Sequence, residues 1–255
     1  MTHTITVTER AAYVLAANPG VMTLDGTNTW ILREPGAEHS VVIDPGPSDE
    51  THLQAVLAAA GPVGLILFTH RHFDHTAALG RFAELTGAPT RSIDPEFSRD
   101  AEMLVDGESI VIDGLEIEVV ATPGHTTDSV CFLLPAEGSL FSGDTILGRG
   151  TTVIAHPDGV LGPYLDSLAH IRELVEEGLV TRILPGHGPV VDDPAAVVDF
   201  YLEHRAERLD QVRAAVAGGA DTSRAIVEIV YRDVEEALWP AAELSVAAQL
   251  DYLRA

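Results

Sequence analysis

Lysine is absent from this chain of 255 residues: all 15 of its permanently basic side chains are arginine, against 39 aspartates and glutamates, for a formal net charge of −24. Such a balance disfavours nonspecific attraction to nucleic acid or anionic lipid, both of which reward a basic face, although it leaves room for a local arginine-lined groove. Cysteine is nearly missing too. Cys131 stands alone, so no intramolecular disulfide forms, and its place inside the apolar run Val130–Leu134 suits a buried small side chain better than a reactive thiol. Long hydrophobic runs are lacking; Val63–Phe68 is far too short to span a bilayer. Met1 to Glu9 alternates threonine with isoleucine and valine and has no basic region followed by an apolar stretch, so it reads as a strand and not as a secretory signal. The expectation is a cytoplasmic protein without a membrane partner.

What is present is a strand-rich pattern with interspersed helices and no internal repeat. Hydrophobic periodicity predicts strands over Ile5–Thr8, Tyr13–Ala16, Thr29–Leu32, Ser40–Ile43, Gly64–Thr69, Ser109–Ile112, Glu116–Ala121, Val130–Leu134, Ser139–Ser142 and Arg182–Leu184. Helices are predicted over Asp49–Ala60, His75–Gly87, Pro163–Glu177, Pro194–Gly218, Thr222–Tyr231 and Ala241–Arg254. The last three follow one another without an intervening strand. The composition shift near Asp192 divides the chain into an α/β body, residues 1–192, and a helical appendage, residues 193–255.

The sharpest segment is Thr69-His70-Arg71-His72-Phe73-Asp74-His75, where an apolar strand gives way to a helical pattern. Residues two apart in an extended chain face the same side, so His70 and His72 can address one cation; after the turn, Asp74 and His75 can reach a second. Imidazole and carboxylate suit zinc and related divalent ions. Three further loops follow apolar strands in the same way: Thr122-Pro123-Gly124-His125-Thr126, Ser142-Gly143-Asp144 and Pro185-Gly186-His187-Gly188-Pro189. Glycine lets backbone approach a site closely and proline restricts the loop. Each alone is a common turn; together with the first cluster they form a constellation.

That constellation resembles the metallo-β-lactamase superfamily, whose members carry an HxHxDH motif, then a distant His, an Asp and a final His. The resemblance implies an αββα sandwich with the metals at one edge between the sheets. It implies that His70, His72 and His125 bind one ion, that Asp74, His75 and His187 bind a second, and that Asp144 bridges both. His75 at the last motif position is similar to the glyoxalase II and ribonuclease branches. The runs Gly26-Thr27-Asn28-Thr29-Trp30 and Gly143 to Thr152, with Pro185 to Pro189, resemble the group of lactamase-β-like protein 2, which includes an endoribonuclease and fungal carrier-protein thioesterases. That group ends in a winged-helix-like domain, which the C-terminal helices resemble. Asp44, ending the strand Val41–Ile43, resembles a position that supports the metal loops by hydrogen bonding; as a residue before Pro45-Gly46 it also reads as a turn cap.

The implied chemistry is hydrolysis with two divalent metal ions, zinc by ligand type, iron and manganese suiting the same donors. Two close cations lower the pKa of a shared water toward neutrality, so a bridging hydroxide serves as nucleophile and no serine or cysteine nucleophile is needed. Asp74 and Asp144 are the catalytic candidates, as ligands that can assist proton transfer. His156, following Gly150–Ile154, is a candidate for a substrate pocket with Thr151, Thr152 and Tyr164. His3, His39, His52, His170 and His204 lie outside the motif loops and read as solvated or packing residues. The substrate expected is a small ester or thioester. The alternatives are a metal-dependent endoribonuclease acting on single-stranded RNA and a non-catalytic binding or regulatory protein. Residues 200–255 carry 6 Arg against 10 Asp and Glu, which disfavours nucleic acid as a partner of the appendage.

Overall fold

Side chains alternating between two faces sort the strands of the computed structural model, which describes residues 3–254, into two sheets. Met1, Thr2 and Ala255, assigned above to the first strand and the appendage, lie outside the described residues. The first sheet runs β1 (Thr4–Thr6), β2 (Ala11–Leu15), β3 (Asn28–Leu32), β4 (Ser40–Ile43), β5 (Val63–Leu67) and β6 (Thr90–Arg91), in that spatial order. The second contains β7 (Ser109–Ile112), β8 (Leu115–Ala121), β9 (Val130–Leu134), β10 (Ser139–Gly143) and β11 (Arg182–Pro185), ordered β11-β10-β9-β8-β7.

Period two decides which side chains meet. Val41, Ile43, Leu65 and Leu67 of the first sheet pack against Ile117, Val119, Phe132 and Phe141 of the second, with Trp30 and Leu184, to fill the space between the sheets. The intervening residues Val42, Ile66 and Phe68 face outward and are covered by helices α1 (Glu50–Ala60) and α3 (Leu79–Thr86). Cys131, Leu133 and Leu140 face outward on the other side, beneath α4 (Leu161–Glu176) and the start of α5 (Pro194–Ala217). The result is the αββα arrangement that the resemblance implies.

Helix starts follow the expected chemistry. Asp49 caps α1 by accepting from the His52 N–H, and Asp193 caps α5 by accepting from the Ala196 N–H with Pro194 in the first turn. After α5 come α6 (Ser223–Val230), capped by Thr222, and α7 (Trp239–Tyr252). Val212 and Ala215 of α5 share a separate small core with Ile226, Val227, Ala242 and Val246. One helix therefore serves two cores. Val198 and Tyr201, beyond the division drawn at 192, belong to the core of the body.

Three local features differ from the sequence reading. The helix predicted over His75–Gly87 is two helices, α2 (Phe73–Thr76) and α3, because Gly46 enters the ladder: its carbonyl accepts from the Ala78 N–H, and its N–H donates to the His75 carbonyl. The two-residue strand β6 lies beside β5 without a hydrophobic run to announce it. Strand β5 stops at Leu67, so His70 and His72 occupy the following loop, where an extended backbone at His72 (φ −59°, ψ 143°) still turns both rings to one side.

Candidate metal centre

Every donor sits just past a strand end at one edge of the sandwich. His70, His72, Asp74 and His75 follow β5, His125 follows β8, Asp144 follows β10 and His187 follows β11. Two backbone links fasten these ends together: the Val130 N–H donates to the Thr69 carbonyl across the sheets at 2.8 Å, and the Gly186 N–H donates to Gly143 O at 2.8 Å. Glycine-containing turns allow the approach. At Gly186 a Cβ would lie 2.8 Å from both Asp144 Oδ1 and His75 Cε1, so any side chain there has to displace these two groups. At Gly124, with φ +138°, it would lie 2.3 Å from Tyr164 Cα.

The donors fall into two groups able to hold a metal ion, His70, His72, His125 and Asp144 in one and Asp74, His75 and His187 in the other, with donor atoms within 4.8 Å of one another in each group. His70 Nε2 lies 3.0 Å from His72 Nδ1, which lies 3.1 Å from His125 Nε2; His75 Nε2 lies 3.2 Å from His187 Nε2. These separations match the edge of a tetrahedron with zinc-to-nitrogen bonds of about 2.0–2.1 Å, an edge of about 3.3 Å. Asp144 stands between the groups: Oδ1 is 3.5 Å from His75 Nε2, and Oδ2 is 3.4 Å from His187 Nε2 and 3.8 Å from His125 Nε2. Its Oδ1 is buried without a hydrogen-bond partner. A buried, orphaned carboxylate oxygen facing imidazole nitrogens fits a cation, and the residues present fit the group that the resemblance implies.

Partners behind the rings fix which nitrogen faces the centre. His125 Nδ1 donates to the Val153 carbonyl at 2.8 Å, and His187 Nδ1 donates to the Gly26 carbonyl at 3.0 Å. Asp44 Oδ2 accepts from His75 Nδ1 at 2.8 Å and from the Thr69 hydroxyl at 2.6 Å, while its Oδ1 accepts from the Thr69 N–H at 2.8 Å. Because the Thr69 hydroxyl proton is committed to Asp44, its oxygen accepts from His70 Nδ1, 3.0 Å away. Four rings thus turn Nε2 toward the centre. Asp44 holds φ at 52°, a left-handed conformation that an aspartate tolerates and that carries the chain into Pro45-Gly46.

Electrostatics separate the two groups. Burial lowers the pKa of His70, His72 and His125, the last to about 4, so these rings are neutral and ready to coordinate. Burial would also lower His187, but Asp144 and Asp74 hold it up at about 9. For His75 the same burial is outweighed by Asp74, Asp44 and Asp144. Despite burial, the histidines around Asp74 and Asp144 keep both carboxylates far below the usual range. The acidic side of the cluster therefore demands positive charge, met by protons on His75 and His187 or by a divalent cation in their place.

Asp44 is thus part of the support of the cluster. His156 is elsewhere: it lines a hollow of about 300 Å³ with Leu161, Pro163 and Tyr252, apart from its expected companions. Thr151 and Thr152 border a different cavity, and Tyr164 is buried with its hydroxyl donating to the Thr145 carbonyl at 2.7 Å. Of the other histidines, His39 contacts Asp113 and His52 is buried against Thr29, while His204 faces the cavity that Thr151 and Thr152 border. Arg71, between two donors in the motif, escaped notice; it donates to Asp128 at 2.9 Å and to Thr127 at 3.0 Å, tying the first donor loop to the turn after His125. Cys131 is buried, with its thiol pushed up to about 11 by that burial.

Residues 22–187 match the family model of the metallo-beta-lactamase superfamily, and residues 222–255 match that of the beta-lactamase associated winged helix domain. The chain belongs to the metallo-beta-lactamase superfamily, a hydrolase family, and carries a C-terminal winged-helix domain. It is 34% identical to a beta-lactamase-like protein 2 homolog of Drosophila melanogaster over 97% of this chain and 88% of that one. It is 36% identical to the atrochrysone carboxyl ACP thioesterase of Aspergillus fumigatus over 87% of this chain and 73% of that one. A metallo-beta-lactamase family protein from Thermus thermophilus has the same fold, with a TM-score of 0.81 at 21% identity, covering 96% of this chain and 93% of that one.

Proposed function

We propose that this protein is a binuclear metal-dependent hydrolase of small esters or thioesters. The observation that carries the reading is the pair of donor groups on either side of Asp144, whose Oδ2 lies 3.8 Å from His125 of one group and 3.4 Å from His187 of the other. His70, His72 and His125 would hold one ion and Asp74, His75 and His187 the other, with Asp144 shared. Zinc suits these nitrogen and oxygen donors, as do iron and manganese. When bound, such a pair supplies a water deprotonated near neutral pH and a Lewis acid for the carbonyl under attack.

The protein's own residues do the rest. Asp44 and Thr69 fix the rings of His70 and His75, and the carbonyls of Val153 and Gly26 fix those of His125 and His187. Asp74, whose side chain is 28% exposed against 11% for Asp144, is the donor carboxylate open to solvent and the one placed to pass a proton outward. Phe73, 79% exposed beside Asp74, with Val21 and Met22 also exposed, offers apolar surface to an acyl chain. The relative named as an ACP thioesterase supports thioesters as the class. Among the described residues no helix is long and apolar enough to cross a membrane, and we place the enzyme in the cytoplasm, acting on a small molecule.

The test compares chelated and zinc-loaded protein, and His72→Ala, on acyl thioesters, lactones and single-stranded RNA. Metal-dependent turnover of thioesters or lactones, lost together with metal in a folded His72→Ala, is the expected result. Cleavage of RNA in place of these substrates, or a His72→Ala protein with full metal content, overturns the reading.

A further inference from the structure

A cavity of about 280 Å³ lies where the body meets the C-terminal helices, and the part of its wall that the body supplies is hydrogen-bonded to the donor loops. Thr152 and Val153 line it; the Thr152 hydroxyl donates to the Asp144 carbonyl at 2.7 Å, and the Val153 carbonyl receives His125. Val21 and Met22 line it as well, on the segment that leads to Gly26, whose carbonyl receives His187. The cavity is therefore one imidazole ring and one hydrogen bond away from the donor group that contains His125.

Its far wall is α5. His204, Arg205 and Arg208 face the cavity, opposite the apolar Val234, Leu238 and Ala242. Arg205 is 8% exposed, donates from Nη2 to the Thr152 carbonyl, stacks on the Tyr164 ring at 5.1 Å, and keeps Nε buried without a partner. Arg208 lies over the Tyr231 ring at 4.7 Å and bonds Gln211 and the Val230 carbonyl. Among the described residues neither has a carboxylate within 4.0 Å, in a chain where 39 carboxylates compete for 15 arginines. The His204 Nδ1 atom is buried without a partner too. Burial, with the charges of Arg205 and Arg208, lowers its pKa to about 4, leaving a neutral ring that can donate a hydrogen bond. A buried guanidinium without a counterion is costly and becomes favourable once an anion supplies it.

We propose that this cavity binds the oxyanion end of the substrate, a carboxylate or phosphate on a short apolar chain whose ester or thioester bond reaches the donor cluster. Arg208 and Arg205 bind the oxyanion, His204 donates to it, and Val234 and Leu238 cover the chain. The assignment rests on the hydrolase reading above and narrows its substrate to anionic esters or thioesters.

The first arm of the test needs no turnover: the chelated full-length protein is titrated calorimetrically with hexanoate, hexyl phosphate and neutral hexan-1-ol. One of the acids binds at one site at least tenfold more tightly than the alcohol, and Arg208→Gln removes that advantage while Arg208→Lys recovers part of it. The tighter acid identifies the oxyanion. Hexanol binding as tightly as both acids, or an acid advantage that survives Arg208→Gln, overturns the proposal, and the alcohol comparison decides the matter even if that variant misfolds. The second arm compares a succinyl with a butyryl thioester on zinc-loaded protein, where Arg208→Gln raises the KM of the charged substrate at least tenfold relative to the neutral one. Acid binding without turnover of any ester, lactone or thioester sinks the hydrolase reading and leaves the pocket standing; turnover without acid binding does the reverse.

Discussion

Asp44 accepts from His75 Nδ1 at 2.8 Å, and the same oxygen takes the hydroxyl proton of Thr69, so one carboxylate sets the orientation of rings in both donor groups. An asparagine tolerates the positive φ of this position and has the same shape, but it places an NH2 where one of these donors needs an acceptor. Asp44→Asn therefore folds and loses about 10- to 100-fold in metal affinity, the usual cost of removing the partner of a ligating histidine. Competition with a chromogenic chelator measures this; wild-type affinity in the folded variant contradicts the role.

Gly186 offers a second probe. Its Cβ would meet Asp144 and His75 at 2.8 Å each, while its backbone is unstrained for an alanine. Gly186→Ala should cost the chelated protein about 1–3 kcal/mol, the range for overpacking, and displace the two donors far enough to lower metal content. Thermal melts with metal analysis of the same samples check it, and full metal occupancy in Gly186→Ala argues against close packing at the cluster.

The acidic side of the centre makes stability depend on pH in a definite direction. The folded-state pKa of His187, about 9, lies above the value of 6.5 for an unperturbed histidine. Its protonation stabilises the metal-free fold fully below about pH 6.5, and the contribution, on the order of 3 kcal/mol, is lost as pH rises through about 9. Chelated protein should therefore lose melting temperature between pH 7 and 9.5, whereas zinc-loaded protein, whose ligand histidines carry no exchangeable charge, should not. A flat profile for the chelated sample over that window contradicts the assignment.

That these histidines and aspartates cluster was legible because each lies within a few residues of an apolar strand end, a relation that local sequence preserves. The sandwich was legible for the same reason: period two in Val130–Leu134 assigns Val130, Phe132 and Leu134 to one face and Cys131 and Leu133 to the other. What escaped depends on distant partners. The break between α2 and α3 comes from Gly46, about 30 residues earlier, and no helix signal near Ala78 announces it. His156 stands close to the Gly143–Thr152 run in sequence, yet the chain carries it to the end of α7. Conversely His204, Arg205 and Arg208 lie on a charged helix that reads as a solvated surface; their spacing along one face was the available signal, and only the packing of α5 behind Thr152 gives it meaning.

The continuity of α5 bears on anyone who cuts or splices this chain. Its 24 residues form a rod of about 36 Å, and Tyr201 within it accepts the Leu147 N–H at 2.8 Å while Arg205 anchors Thr152. A shortened version ending at Asp192 would strip both anchors from the loop behind Asp144 and His125. Grafting a foreign tail at that point would do the same, so any swap of the C-terminal module has to keep α5 through at least Arg208 with its native body.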